Sequence, residues 1–91
     1  MSEPIFSIGD TVALKPSFSI NGKLVRVELL SIQPMKVTEI RSVGNAHAYF
    51  MNDVITGTES LYAEDWLMFW SGVKDAVLLA HNKLISQLLE I

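Results

Sequence analysis

The sequence predicts a small, mainly β fold: a barrel of about five strands with one C-terminal α-helix. Three observations predict it. Short apolar alternations recur along residues 11–56, turn residues separate them at close intervals, and Val73–Ile91 carries apolar side chains at helical spacing. Strand signals this closely spaced suit a curled sheet or small barrel better than βαβ units, which need a helix between successive strands.

The elements follow in order. Met1–Pro4 reads as a loose leader, and Ser7-Ile8-Gly9-Asp10 as a turn. TVAL, residues 11–14, sets Val12 and Leu14 on one face and Thr11 and Ala13 on the other. Lys15-Pro16 ends this strand, because proline has no N–H to give to a ladder. SFSING, residues 17–22, reads as a loop whose Asn21-Gly22 pair favours a tight turn with positive φ. KLVRVELL then alternates Val25, Val27 and Leu29 with Leu24, Arg26 and Glu28, the clearest half-buried strand pattern in the chain. After Pro34, MKVTEI carries apolar residues on opposite parities at its two ends, which predicts a bulge or bend near Thr38–Glu39. AHAYFM, residues 46–51, sets Ala46, Ala48 and Phe50 opposite His47, Tyr49 and Met51. Val54-Ile55-Thr56 is read as a short fifth strand.

Glu64-Asp65-Trp66-Leu67 reads as one helical turn, and Phe69-Trp70 as a last strand or the lead into the helix. Ser71 is the expected N-cap, with Asp75 in the first turn, where negative charge suits the helix dipole. Taking about 100° per residue, Val73, Val77, Ala80, Leu84, Leu88 and Ile91 form one stripe, widened by Leu78, Ile85 and Leu89. That arc is broader than sealing a barrel requires, so a second contact is expected along it. A groove in the same domain would produce the same pattern.

The 91 residues make a single domain, read as a barrel over 6–70, with an inserted hairpin at 17–33, followed by the helix at 73–91. Apolar residues make up 49% and charged ones 19% of the chain. The charged share is below the roughly 25% of typical domains, so some apolar surface is expected to be covered by a partner, most simply a second copy as a homodimer. There is no cysteine to form a disulfide or a thiolate metal site. MSEPIFSIG lacks the ordered parts of a signal peptide and AVLLA is far too short to span a membrane, so a cytoplasmic protein without membrane contact is expected.

Catalysis is not expected. His47 and His81 have no carboxylate or thiol at metal-ligand spacing, no serine sits in a nucleophile elbow, and no glycine-rich loop is present to cradle phosphate. The adjacent carboxylates Glu64 and Asp65 do not face one another on a strand or a helix. The reading therefore includes no catalytic residue, no metal and no cofactor. Protein contact is assigned instead to Tyr49, Trp66, Trp70, Leu78, Ile85 and Leu89. The competing class is a nucleic-acid accessory. Residues 1–45 hold five Lys/Arg against four Asp/Glu, whereas residues 46–91 hold two against six. A modest patch of Lys15, Lys23, Arg26, Lys36 and Arg41 beside Tyr49 would serve it.

With these elements placed, FSIGDTVALKP, PMKVTEI, AHAYF and LYAEDWL together resemble the YodC type of small bacterial proteins. The matching positions are Gly9, Asp10, Val12, Leu14, Lys15, Pro34, Met35, Val37, Tyr49, Phe50, Glu64 and Leu67, spread in pieces over residues 6–67. The resemblance implies an SH3-like barrel and brings no catalytic role. The chain departs from that pattern in Ser17–Gln33, where the family has a short glycine-rich link, and in the added helix. The reading is thus an SH3-like β-barrel with a C-terminal helix, acting as an adaptor by protein contact.

Overall fold

The structure is a computed structural model that describes residues 3–90. Met1 and Ser2 of the expected leader, and Ile91 of the helical stripe, lie outside the described residues. Seven strands are present among the described residues: β1 (Thr11–Leu14), β2 (Ser17–Ile20), β3 (Lys23–Arg26), β4 (Met35–Val43), β5 (Ala46–Asp53), β6 (Glu59–Ala63) and β7 (Leu67–Phe69). They are followed by one helix, α1 (Trp70–Leu89). Five strands form an antiparallel sheet in the order β6-β5-β4-β1-β7, and β2 and β3 form a separate two-stranded ribbon.

The expected SH3-like barrel is not what the chain forms. The fold is a mixed α/β domain whose sheet stays open. Closure would need a ladder between the edge strands β6 and β7, but β6 pairs with β5 and β7 pairs with β1. A 3-10 turn at Glu64–Trp66 carries the chain between the two edges, and all three residues of β7 are matched to β1. The other flank of β6 does not supply the missing contact. Ser60 and Tyr62 look across a cavity of about 260 Å³ toward Leu14, Ser31 and Met35.

Local chemistry explains how the remaining elements differ from the sequence reading. Residues 17–20 are a strand because Asn21 and Gly22 take positive φ, 51° and 79°, and fold β2 directly onto β3. KLVRVELL is a strand only through Arg26. Val27 N–H then bonds Pro16 carbonyl, and Leu29–Ser31 form a 3-10 turn. The ribbon is largely exposed, with Leu24 60% accessible. Residues 54–56 are a turn, not a strand, because Asp53 Oδ1 accepts from the N–H groups of Ile55 and Thr56 at 2.7 and 2.9 Å. The strand that follows β5 in the sheet is instead β6, Glu59–Ala63. The register of β4 on β5 shifts between Val37 and Glu39, at the position where the apolar parity of MKVTEI changes.

One face of the sheet carries the main core. Val12, Met35, Val37, Tyr49, Met51 and Leu67 pack there, with Phe6 folded over them. The Phe6 ring meets Tyr49 and Phe69 edge-on, at 5.3 and 4.9 Å between centroids. The opposite face is covered at its β1 end, where Ala13 packs with Ile32, Val73 and Val77. The helix begins at Trp70, directly from β7. Phe69 occupies the N-cap without a side-chain bond, and Ser71 lies inside the first turn.

Candidate protein-contact surface

The helix is the element that most clearly exceeds what the domain can cover. Val73 and Val77 are its buried residues. One turn on, Ala80 is half-buried, and every described residue from His81 onward is exposed. The stripe expected to seal the fold therefore does so only over its first two turns. Leu84 and Leu88, read from the sequence as part of the packed stripe, are exposed. The cause is length. A four-residue strand such as β1 extends about 13 Å, whereas a 20-residue helix extends about 30 Å. From Val77 to Leu89 the helix runs on for about 18 Å.

The exposed apolar residues of that overhang are Leu84, Ile85, Leu88 and Leu89, with Leu78 and Leu79 nearer the base; Leu89 is 82% accessible. Leu78, Ile85 and Leu89 thus stand at the surface, as a contact role requires. At the base of the overhang a groove of about 240 Å³ opens between α1, the Leu29–Ser31 turn and the 54–56 turn. Its walls include Leu30, Pro34, Ile55, Trp70, Leu78 and His81. Trp70 is half-buried and packs against the second core cluster, leaving one side to this groove.

The other aromatic candidates are placed differently. Tyr49 is 0% accessible, so it cannot be a contact residue. It lies on the core face of β5 beside Met51, and Phe50 takes the outer face instead. The Tyr49 hydroxyl donates to Glu64 Oε2 at 2.5 Å and accepts from Phe6 N–H at 3.4 Å. The same carboxylate oxygen accepts from Ile5 N–H at 3.2 Å. This cluster pins the N-terminal segment to the sheet. Burial, reinforced by the Glu64 carboxylate, pushes the Tyr49 phenol up to about 12. Trp66 is half-buried, stacked on Phe18 at 5.6 Å and edge-on to Tyr62 at 6.2 Å. Through Phe18 it ties the β2–β3 ribbon to the Glu64–Trp66 turn.

The five cations of the competing reading sit on three strands or their ends, in two sheets. Lys15 follows β1, Lys23 and Arg26 occupy opposite ends of β3, and Lys36 and Arg41 lie on β4. Arg41 is engaged locally: its Nε is 3.4 Å from Glu39 Oε1, and its guanidinium lies 5.3 Å from the Phe50 ring centroid. Tyr49 faces away from Arg41, into the core, so no stacking platform forms beside that cation.

His47 is buried, with Nδ1 2.6 Å from Ser42 Oγ, and lines a cavity of about 140 Å³ with Glu64 and Asp65. Glu64 Oε2 accepts from the Tyr49 hydroxyl and from Ile5 N–H. His81 lies on the exposed helix. Among the described residues no three His, Cys, Asp or Glu side chains cluster as metal ligands. None of the described helices is long and apolar enough to cross a membrane. Comparison with family models, curated proteins and solved structures yields no match to this chain.

Proposed function

We propose that this chain is a non-enzymatic interaction domain of the cytosol, an adaptor by contact, and that its contact surface is the overhanging half of α1, through which it pairs with a second copy. The observation that carries this reading is the run of Leu84, Ile85, Leu88 and Leu89 beyond the last buried helical residue, Val77. An isolated helix of a dozen residues is marginal in water, and its stability in proteins comes from burying an apolar face. A second copy offers the same face at the same concentration, and two-fold pairing is the commonest way such a surface is satisfied.

Nucleic acid is the weaker alternative: its expected stacking residue, Tyr49, is in the core, and the five cations are spread over separate strands. The partial likeness to YodC-type proteins supplies no activity to set against contact. Light scattering at micromolar concentration tests the reading. The wild type is expected at twice the chain mass, and Ile85→Glu with Leu89→Glu at the chain mass with an unchanged circular dichroism signature for the sheet. If the wild type and the double variant are both monomers, self-association through the helix is wrong.

A further inference from the structure

Resting on that self-association, we infer that the two helices pair antiparallel, so that the end of each overhang seats in the groove at the base of its partner. Leu78, His81, Ile85 and Leu88 are spaced 3-4-3 and form one narrow stripe along α1, a seam of the kind that pairs helices side by side. The stripe reads the same in both directions about residue 83. A two-fold axis crossing the helix there sets Leu78 against the partner's Leu88 and His81 against the partner's Ile85. Leu84 and Leu89 flank this seam and widen it.

Three further features favour antiparallel over parallel pairing. The first is the groove. Leu78 and His81 belong both to the seam and to the groove wall, so the groove is a continuation of the same surface. Antiparallel pairing brings the apolar Leu88–Leu89 end of one helix to the level of Leu78, beside Leu30 and Ile55 of the other. Parallel pairing carries that end away from the groove and leaves it empty.

The second is area. Stable interfaces cover about 800 Å² per partner, and a single helical stripe about 18 Å long falls short unless the domain body contributes. The third is charge. Lys74 lies on the same side of α1, one turn before Leu78. Antiparallel pairing places its ammonium near the end of the partner's helix, whose terminal carbonyls carry partial negative charge. Parallel pairing would instead set Lys74 against its own copy.

Single-cysteine cross-linking distinguishes the two geometries cleanly, because the chain has no cysteine of its own. Leu78→Cys and Leu88→Cys are prepared separately, one carrying a mass tag, and treated with a short bis-maleimide alone and after mixing. Antiparallel pairing separates identical positions by ten residues, about 15 Å along the axis. Each variant alone then yields little covalent dimer, while the mixture yields a product of mixed mass at least fivefold above either homodimer. Self-cross-linking of Leu88→Cys alone, at the level of the mixture or above, overturns the antiparallel arrangement while leaving self-association standing. Scattering on the same samples before cross-linking separates the remaining case. A monomeric mass there overturns the pairing itself and this geometry with it.

Discussion

The body of the domain and the far half of α1 are built from the same kinds of residue and meet opposite fates. In the body, Val12, Val37, Tyr49 and Met51 are shut away from water by both neighbouring strands and the Phe6 lid. In the overhang, Leu84, Ile85, Leu88 and Leu89 are exposed to water. The difference lies in what stands opposite each apolar stripe, not in the stripe itself. A leucine on a helix contributes about 1.5–3 kcal/mol only when a second surface removes it from water. The first two turns of α1 find Ala13 and Ile32, and the apolar residues of the remainder stay exposed to water.

Truncating a side chain in each region gives the largest contrast. Met51→Ala leaves a cavity in a core that cannot easily collapse, and is expected to cost about 2–5 kcal/mol. That is a large share of the stability of a domain this small. Leu88→Ala, measured by urea titration at a concentration where the protein is monomeric, is expected to change stability by less than about 0.5 kcal/mol. Equal losses from the two variants would mean that the overhang is packed after all.

A second experiment probes how the body holds its N-terminal segment. Tyr49→Phe removes the hydroxyl that bridges Glu64 and Phe6 N–H, at an expected cost of about 1.5–3 kcal/mol for a bond to a charged acceptor. The same bridge predicts alkaline sensitivity. Tyr49 titrates at about 12 in the folded chain, above its ordinary value near 10. The folded state therefore holds the phenolic proton more tightly than the unfolded state does. Its contribution is complete below pH 10 and is lost as pH rises toward 12. In Tyr49→Phe the slope of stability against pH across that window is expected to flatten; an unchanged slope would remove Tyr49 as its source.

These two regions also show which features local sequence can carry. The strand TVAL was legible because Gly9-Asp10 and Pro16 bracket it. The Thr38 bulge was legible because the apolar parity of MKVTEI changes there. Helical spacing revealed α1 to within three residues at its start. Tyr49 was misplaced because Tyr49 and Phe50 give β5 an aromatic on each face, and the carboxylate that satisfies the buried hydroxyl, Glu64, lies fifteen residues away. Closure of the sheet depends on whether two edges meet across the molecule, which no short alternation encodes. Likewise, the periodicity of α1 gives its apolar side but not the point at which the sheet beneath it ends.

His81→Leu sharpens the overhang side of the comparison. If His81 faces the partner's Ile85, each copy sets an imidazole against an apolar surface, and leucine there fills the seam without a polar group to desolvate. The dimer is expected to tighten roughly tenfold, about 1.4 kcal/mol, by dilution scattering, with monomer stability nearly unchanged. Weaker association would place His81 in a polar contact instead of the apolar seam.

The smallest effect concerns how the helix starts. A serine N-cap replaced by alanine costs about 1 kcal/mol, and Ser71 has the sequence context of such a cap. In the structure the helix begins one residue earlier, at Trp70. The cap position falls on Phe69, which still pairs with Val12 of β1 and makes no side-chain capping bond. The start of α1 is thus fixed by the strand that delivers it and by Val73 and Val77 beneath it. Ser71→Ala is expected to shift the urea midpoint by no more than about 0.5 kcal/mol equivalent, because the hydroxyl it removes is exposed within the first turn. A loss near a full cap would mean that the base of α1 is held by its terminus, as a free-standing helix would be. The contrast between an anchored base and an unanchored overhang would then weaken, because both halves would rely on local helix chemistry.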